Sequence, residues 1–218
     1  MDQILLNYFH ENPVDLDEYV WPRGNPVCAE ETIRQRFELA EAFKQGCPKE
    51  KFRVAEEFVR VWGGVTRNKP ERILEYVSEE PDDTRIRPVK GIATWSKILS
   101  IRDPEQFLIF DARVSFSLNA VFEHAGHGSD VVFFPKLPGR NTVLRNALLR
   151  QQALGRAWNI DLTLQGGLLY PAYLALLHSI SKQLDVPSIH LEMMLFARAP
   201  AFAQALWPQP TTESDVSA

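Results

Sequence analysis

Apolar residues fall at helical spacing along most of this chain, and that periodicity constrains the fold more than any other feature of the sequence. Across residues 30–45 they stand at Ile33, Phe37, Leu39, Ala40 and Phe43, and Gly46 with Pro48 supplies a stop. A second helix is expected over residues 49–62, with Phe52, Ala55, Phe58, Val59 and Trp62 on one face and Gly63-Gly64 ending it. Asn68 is placed to cap a helix that opens at Pro70 and runs through Val77, because a first-turn N–H has no helical partner to lose. Further helices are expected over residues 94–101, 111–122, 141–154, 166–184 and 187–198, with a turn at Asp103-Pro104. Residues 79–88 and 124–130 read as polar or glycine-bearing connections, and 131–134 is too short to separate strand from extended chain. The pattern predicts an all-α protein, a single helical domain over residues 1–207 within which 1–84 is separable as an N-terminal subdomain. The remainder, 208–218, turns to Pro, Thr, Ser and Asp and is expected to be a disordered tail.

Hydrophobic residues make up 45% of the 218, enough to build a core. No run of about 18 apolar residues is present, which argues against a membrane span. The first residues lack a basic n-region and a cleavage site, so a cytoplasmic location is expected. Cys28 and Cys47 are the only cysteines and read as reduced thiols. His124 and His127 are three apart in a loop with no third ligand nearby, so no metal site is expected. Walker, dinucleotide-binding and serine-elbow motifs are all missing, and no cofactor is expected.

The net charge of −4 is unevenly spread. Residues 1–84 carry −7, residues 85–156 carry +6, and residues 157–218 carry −3. The basic middle third either pairs with the acidic helices of the same chain or faces an anionic ligand such as nucleic acid. Within it, Gly91 precedes a helix start, a geometry whose backbone N–H groups suit a phosphate. Lys97 lies one to two turns into that helix, and Ile109-Phe110 delivers Asp111 to the cap of the next one. A carboxylate accepting cap amides is favoured in its ionised form, and a lysine amine can form a Schiff base with a sugar aldehyde. Taken singly, each has an ordinary alternative: a turn glycine, a solvated lysine and an N-cap.

Together, Gly91-Ile92-Ala93-Thr94-Trp95-Ser96 and Ile109-Phe110-Asp111-Ala112-Arg113-Val114 resemble the helix–hairpin–helix DNA glycosylase superfamily. The resemblance covers residues 88–119. It implies that Asp111 is the catalytic aspartate, that the Gly91 hairpin grips the DNA backbone, and that Lys97 is the Schiff-base lysine of an 8-oxoguanine-glycosylase-like member. The family's lysine normally stands where Trp95 stands here. A member lacking the lysine function still hydrolyses the glycosidic bond with the aspartate and water.

On this reading the partner is double-stranded DNA carrying a modified base. Asp111 and Lys97 are the catalytic candidates, and Gly91, Thr94, Arg113, Lys136, Arg140 and Asn141 the DNA-binding ones. Lys136 to Asn141 forms a basic turn into a helix, where Arg140 is the phosphate donor or the turn merely caps the helix. Trp62, Tyr170 and Tyr173 are either base-stacking platforms or core, and Glu192, in an apolar helix, is either buried or at a wet edge. Two other functions are compatible with the sequence. One is a non-catalytic helical module binding DNA or RNA; the other is a protein-interaction module whose basic segment is neutralised internally.

Overall fold

A computed structural model of the chain describes residues 1–21, 27–79, 89–125, 133–156, 158–161 and 164–208. The connections expected within 80–88 and 126–132, His127, and the tail from 209 onward lie outside the described residues. Among the described residues are nine α-helices: α1 (Asp2–Glu11), α2 (Ala29–Gln45), α3 (Pro48–Glu57), α4 (Pro70–Ser78), α5 (Ile92–Ser100), α6 (Ala112–His124), α7 (Thr142–Ala153), α8 (Leu169–Leu184) and α9 (Ser188–Leu206). Two short strands, β1 (Val20–Trp21) and β2 (Val27–Cys28), pair antiparallel in the register Val20–Cys28 and Trp21–Val27. The protein is thus mostly helical, and no helix among the described residues is long and apolar enough to cross a membrane.

Helix α6 is the axis of the fold. Every residue from Val114 to Phe122 is buried, so this helix is enclosed on all sides. It packs most extensively on α9, which also contacts α7 and α8, while α1 covers both α6 and α8. Burying α6 all round strands its polar side chains unless they find partners. Ser115 donates to the Pro135 carbonyl at 2.8 Å and Ser117 to the Leu195 carbonyl. Asn119 accepts from the Phe134 N–H at 2.8 Å and donates to the Phe134 carbonyl at 2.9 Å. These bonds hold residues 133–135 against α6 and aim the chain that follows, Lys136 to Asn141, at the start of the same helix.

Several boundaries differ from those expected. Helix α1, unanticipated, buries Leu5, Leu6 and Phe9. Helix α9 runs to Leu206, eight residues past the expected end, and passes through Pro200. Its apolar face continues across the proline as Phe196, Ala199 and Ala203, so core burial offsets the lost N–H. The helix starting at α3 ends in a π-turn over Phe58–Trp62, and another over Leu164–Leu168 precedes α8. Asn68 does not cap α4; its amide donates to the Thr94 hydroxyl instead.

The largest departure is the buried face of α2. The stripe follows Ala29, Thr32, Arg36, Ala40 and Phe43, leaving Ile33 and Leu39 half-buried and Phe37 exposed. Arg36 is only 2% exposed and forms a bidentate ion pair with the equally buried Glu192 of α9. The same carboxylate accepts the Ile109 N–H at 2.7 Å. An extended segment, Leu108 to Phe110, is held by side chains from three helices. Tyr170 donates to the Leu108 carbonyl at 2.7 Å, Tyr173 to the Ile109 carbonyl at 2.9 Å, and Ser96 accepts the Phe110 N–H at 3.0 Å.

A buried pair cut in half leaves an uncompensated charge. Glu192→Leu is therefore expected to destabilise the fold by about 3–5 kcal/mol. The double variant Arg36→Met/Glu192→Leu should recover part of that loss, stopping short because the Ile109 N–H stays unpaired at a cost of about 1–3 kcal/mol. Urea denaturation midpoints of the two variants check this order.

Candidate functional site

The end of the 108–110 segment is where the chemistry begins. Asp111 is the N-cap of α6, and its Oδ1 accepts the Arg113 N–H at 2.9 Å and the Val114 N–H at 3.3 Å. Its other oxygen faces the Lys97 ammonium, with Nζ 3.6 Å from Oδ2. Lys97 belongs to the sixth position of α5, yet its ammonium does not sit there. Helical side chains lean toward the N-terminus, and the Lys97 Nζ lies one turn back, 3.4 Å from the Ala93 carbonyl.

The lysine is 3% exposed and the aspartate side chain 19%. A buried ammonium needs a partner, and Asp111 supplies it. The stem needs room as well. A Cβ on Gly63 would stand 3.0 Å from both Cδ and Cε of Lys97 and 2.9 Å from the Val59 carbonyl, so the corner after the first π-turn must be glycine. Glycine serves differently at residue 91, which caps α5 with φ at 91°, a backbone conformation that side chains resist.

Lys97 and Asp111 line a cleft of about 1250 Å³, bounded by the start of α6, residues 63–65, the 136–141 connection and α7. Arg113, Lys136, Arg140, Asn141 and Arg145 line the same cleft. The Arg113 guanidinium rides 4.4 Å over the Phe196 ring, and burial pulls its pKa down against the opposing pull of Asp111. Phe196 stacks on Trp21, which in turn lies parallel to Trp62 at 4.1 Å.

Lys136 donates to the Gln151 side-chain oxygen at 2.8 Å and stands 5.0 Å above the Trp158 ring; desolvation lowers its pKa. Arg140 donates to the Gly64 carbonyl at 3.3 Å and the Thr66 hydroxyl at 3.4 Å, tying the 136–141 connection to the corner at Gly63-Gly64. Asn141 caps α7, its Oδ1 accepting the Val143 N–H at 2.9 Å and the Leu144 N–H at 3.2 Å. Gly139 lets this turn approach α6, because a Cβ there would meet the Ala112 Cβ at 2.8 Å.

Six of the eight predicted residues therefore meet in one cleft. Gly91 and Thr94 do not line it. Thr94 is buried against Asn68, and Gly91 takes the Thr94 and Trp95 N–H groups on its own carbonyl. Tyr170 and Tyr173 are fully buried and grip the backbone of residues 108–109, which leaves neither ring a surface on which a base could stack. Glu192 is buried with Arg36 rather than wet.

The basic third is not neutralised by the acidic helices at this cleft. Among the described residues, Arg113, Lys136, Arg140 and Arg145 have no carboxylate within 4 Å, whereas Glu31 and Glu38 pair with Arg34 and Glu56 with Arg60. The sequence did not reveal Gln151, Arg36 or the clearance that Gly63 gives Lys97, because these roles depend on elements far along the chain.

Comparison of the chain with protein-family models, with curated proteins and with solved structures gives no match.

Asparagine caps a helix about as well as aspartate, and alanine does not. Asp111→Asn and Asp111→Ala both remove the charge that pairs with Lys97, and only the asparagine keeps an oxygen for the cap amides. Thermal denaturation should find the alanine variant less stable by about 1 kcal/mol.

Proposed function

We propose that the protein is a DNA N-glycosylase with a helix–hairpin–helix glycosylase-like fold, releasing a modified base from duplex DNA. The observation that carries this reading is the pairing of the Lys97 amine with the Asp111 carboxylate at 3.6 Å, in the wall of a cleft whose other cations have no carboxylate within 4 Å among the described residues. The helices α4 and α5 pack together around Gly91, and Asp111 caps the helix that follows, which is the order the family resemblance implies.

A target base inside a duplex is beyond reach of such a cleft, so the nucleotide is extruded into it. Arg113, Lys136, Arg140 and Arg145 attract and hold phosphates along the rim. Asp111 keeps one oxygen on its cap amides, which fixes the other where positive charge grows on the deoxyribose as the C1′–N bond stretches. The bonding pair leaves with the base. Lys97, giving its proton to the departing base, then attacks C1′ as a neutral amine; opening of the sugar ring leaves a Schiff base. Where water attacks C1′ instead, the same aspartate serves and the lysine remains its counter-ion.

Screening duplexes that carry oxidised, alkylated, deaminated and hydroxymethylated bases tests the reading. For any duplex that is cleaved, Asp111→Asn should lower base release by at least about 10²-fold with DNA affinity largely kept. Full activity in that variant refutes the role of Asp111. Borohydride should trap a covalent adduct that Lys97→Met cannot form; release without an adduct leaves the hydrolytic version alone.

DNA affinity itself should fall steeply with salt, and Arg140→Ala should reduce the slope of log K against log salt by about one. Steep salt dependence with no release from any duplex overturns the catalytic half of the reading and leaves a DNA-binding module.

A further inference from the structure

The cleft contains a second polar position that the lysine and aspartate do not use. Of its lining residues that are buried, Lys97 and Gln151 alone are polar; the rest of that wall includes Phe116, Leu137, Leu144 and Phe196. Gln151, near the end of α7, is 0% exposed. Its Oε1 is occupied by the Lys136 ammonium at 2.8 Å. Its Nε2 makes no hydrogen bond to any described residue.

An orphaned buried amide costs about 1–3 kcal/mol, so an apolar residue of the same shape would serve the fold better. The bond from Lys136 also fixes which way the amide faces. An ammonium has no acceptor, so the oxygen must turn to Lys136 and the NH₂ must turn away. Lys136 is itself held, over the Trp158 ring. The polar groups on this side of the cleft are thus donors: the Gln151 amide and the remaining Lys136 protons.

We infer that Gln151, oriented by Lys136, is the specificity position of the cleft, and that it takes the carbonyl edge of an extruded base. This rests on the glycosylase reading above and adds the class of base. A ring oxygen meets the amide donor and relieves it. An exocyclic amino group at the same place sets donor against donor and leaves both desolvated and unpaired, which sites built on hydrogen bonds reject strongly. The cleft therefore selects a keto-bearing base, as hydrolytic deamination produces, over the amino-bearing base of the same shape.

The test compares bases differing at that edge. In the release-blocked Asp111→Asn full-length protein, affinity is measured for duplexes carrying hypoxanthine or adenine, and uracil or cytosine, each opposite a tetrahydrofuran abasic analogue so that pairing strength does not enter. Hypoxanthine and uracil should bind at least about tenfold more tightly than adenine and cytosine, the worth of one buried hydrogen bond. Adding Gln151→Leu should abolish the preference. Adding Gln151→Glu, which keeps the bond to Lys136 but offers an acceptor, should reverse it.

Equal affinity within each pair, or a preference that survives both substitutions, overturns the assignment of Gln151 while leaving the glycosylase reading intact. No affinity for any of the four duplexes at low salt overturns both.

Discussion

The Arg36–Glu192 ion pair, with the Ile109 N–H on the same carboxylate, is the constraint on which the rest of the structure depends. It joins α2, α9 and the extended segment ahead of α6, three parts of the chain separated by up to 156 residues. Desolvating two charges is expensive, and apolar residues would fill the same space at lower cost. What the pair supplies is direction. Its carboxylate fixes a backbone N–H two residues before Asp111, and Tyr170, Tyr173 and Ser96 fix the neighbouring peptide groups. A segment outside any sheet thereby has its peptide groups held by side chains, and the aspartate at its end is delivered to one place.

A second set of restraints works on the lysine. Lys97 leaves the interior of α5, but the backward lean of helical side chains carries its ammonium to the level of Ala93. Gly63 clears its path, and Asp111 holds its end. The two residues are 14 apart in sequence, and neither would meet the other without the glycine corner from a third segment. Charge follows the same division of labour. Glu31, Glu38 and Glu56 of the acidic N-terminal helices pair with arginines of their own helices, and among the described residues no carboxylate lies within 4 Å of Arg113, Lys136, Arg140 or Arg145.

Much of this was legible beforehand. Helix α6 and its cap at Asp111, helix α7 and its cap at Asn141, and the helix after Gly91 all followed from apolar spacing and from Asp, Asn and Gly at their starts. The basic turn of residues 136–141 was visible as well. The missed helix α1 carries the same signal, with Leu5, Phe9 and their neighbours at helical spacing. The buried face of α2 was a different matter. Periodicity ranks Ile33 and Leu39 above Arg36, because hydropathy prices an arginine as solvated, and the carboxylate that makes it a core residue lies in α9. Tyr170 and Tyr173 were ambiguous for the same reason: a tyrosine becomes structural when its hydroxyl finds a carbonyl, and those carbonyls lie more than 60 residues earlier.

By itself, then, the sequence determined the helical class, the caps at Asp111 and Asn141 and the concentration of positive charge in the middle third, since each depends on residues a few positions apart. Tertiary structure decided which charges are spent and which are free. It put Lys97 against Asp111, buried Arg36 with Glu192, and left the Gln151 NH₂ group without a partner among the described residues. The physical reason is that local spacing fixes backbone conformation, whereas the fate of a buried polar group depends on what the rest of the chain brings to it.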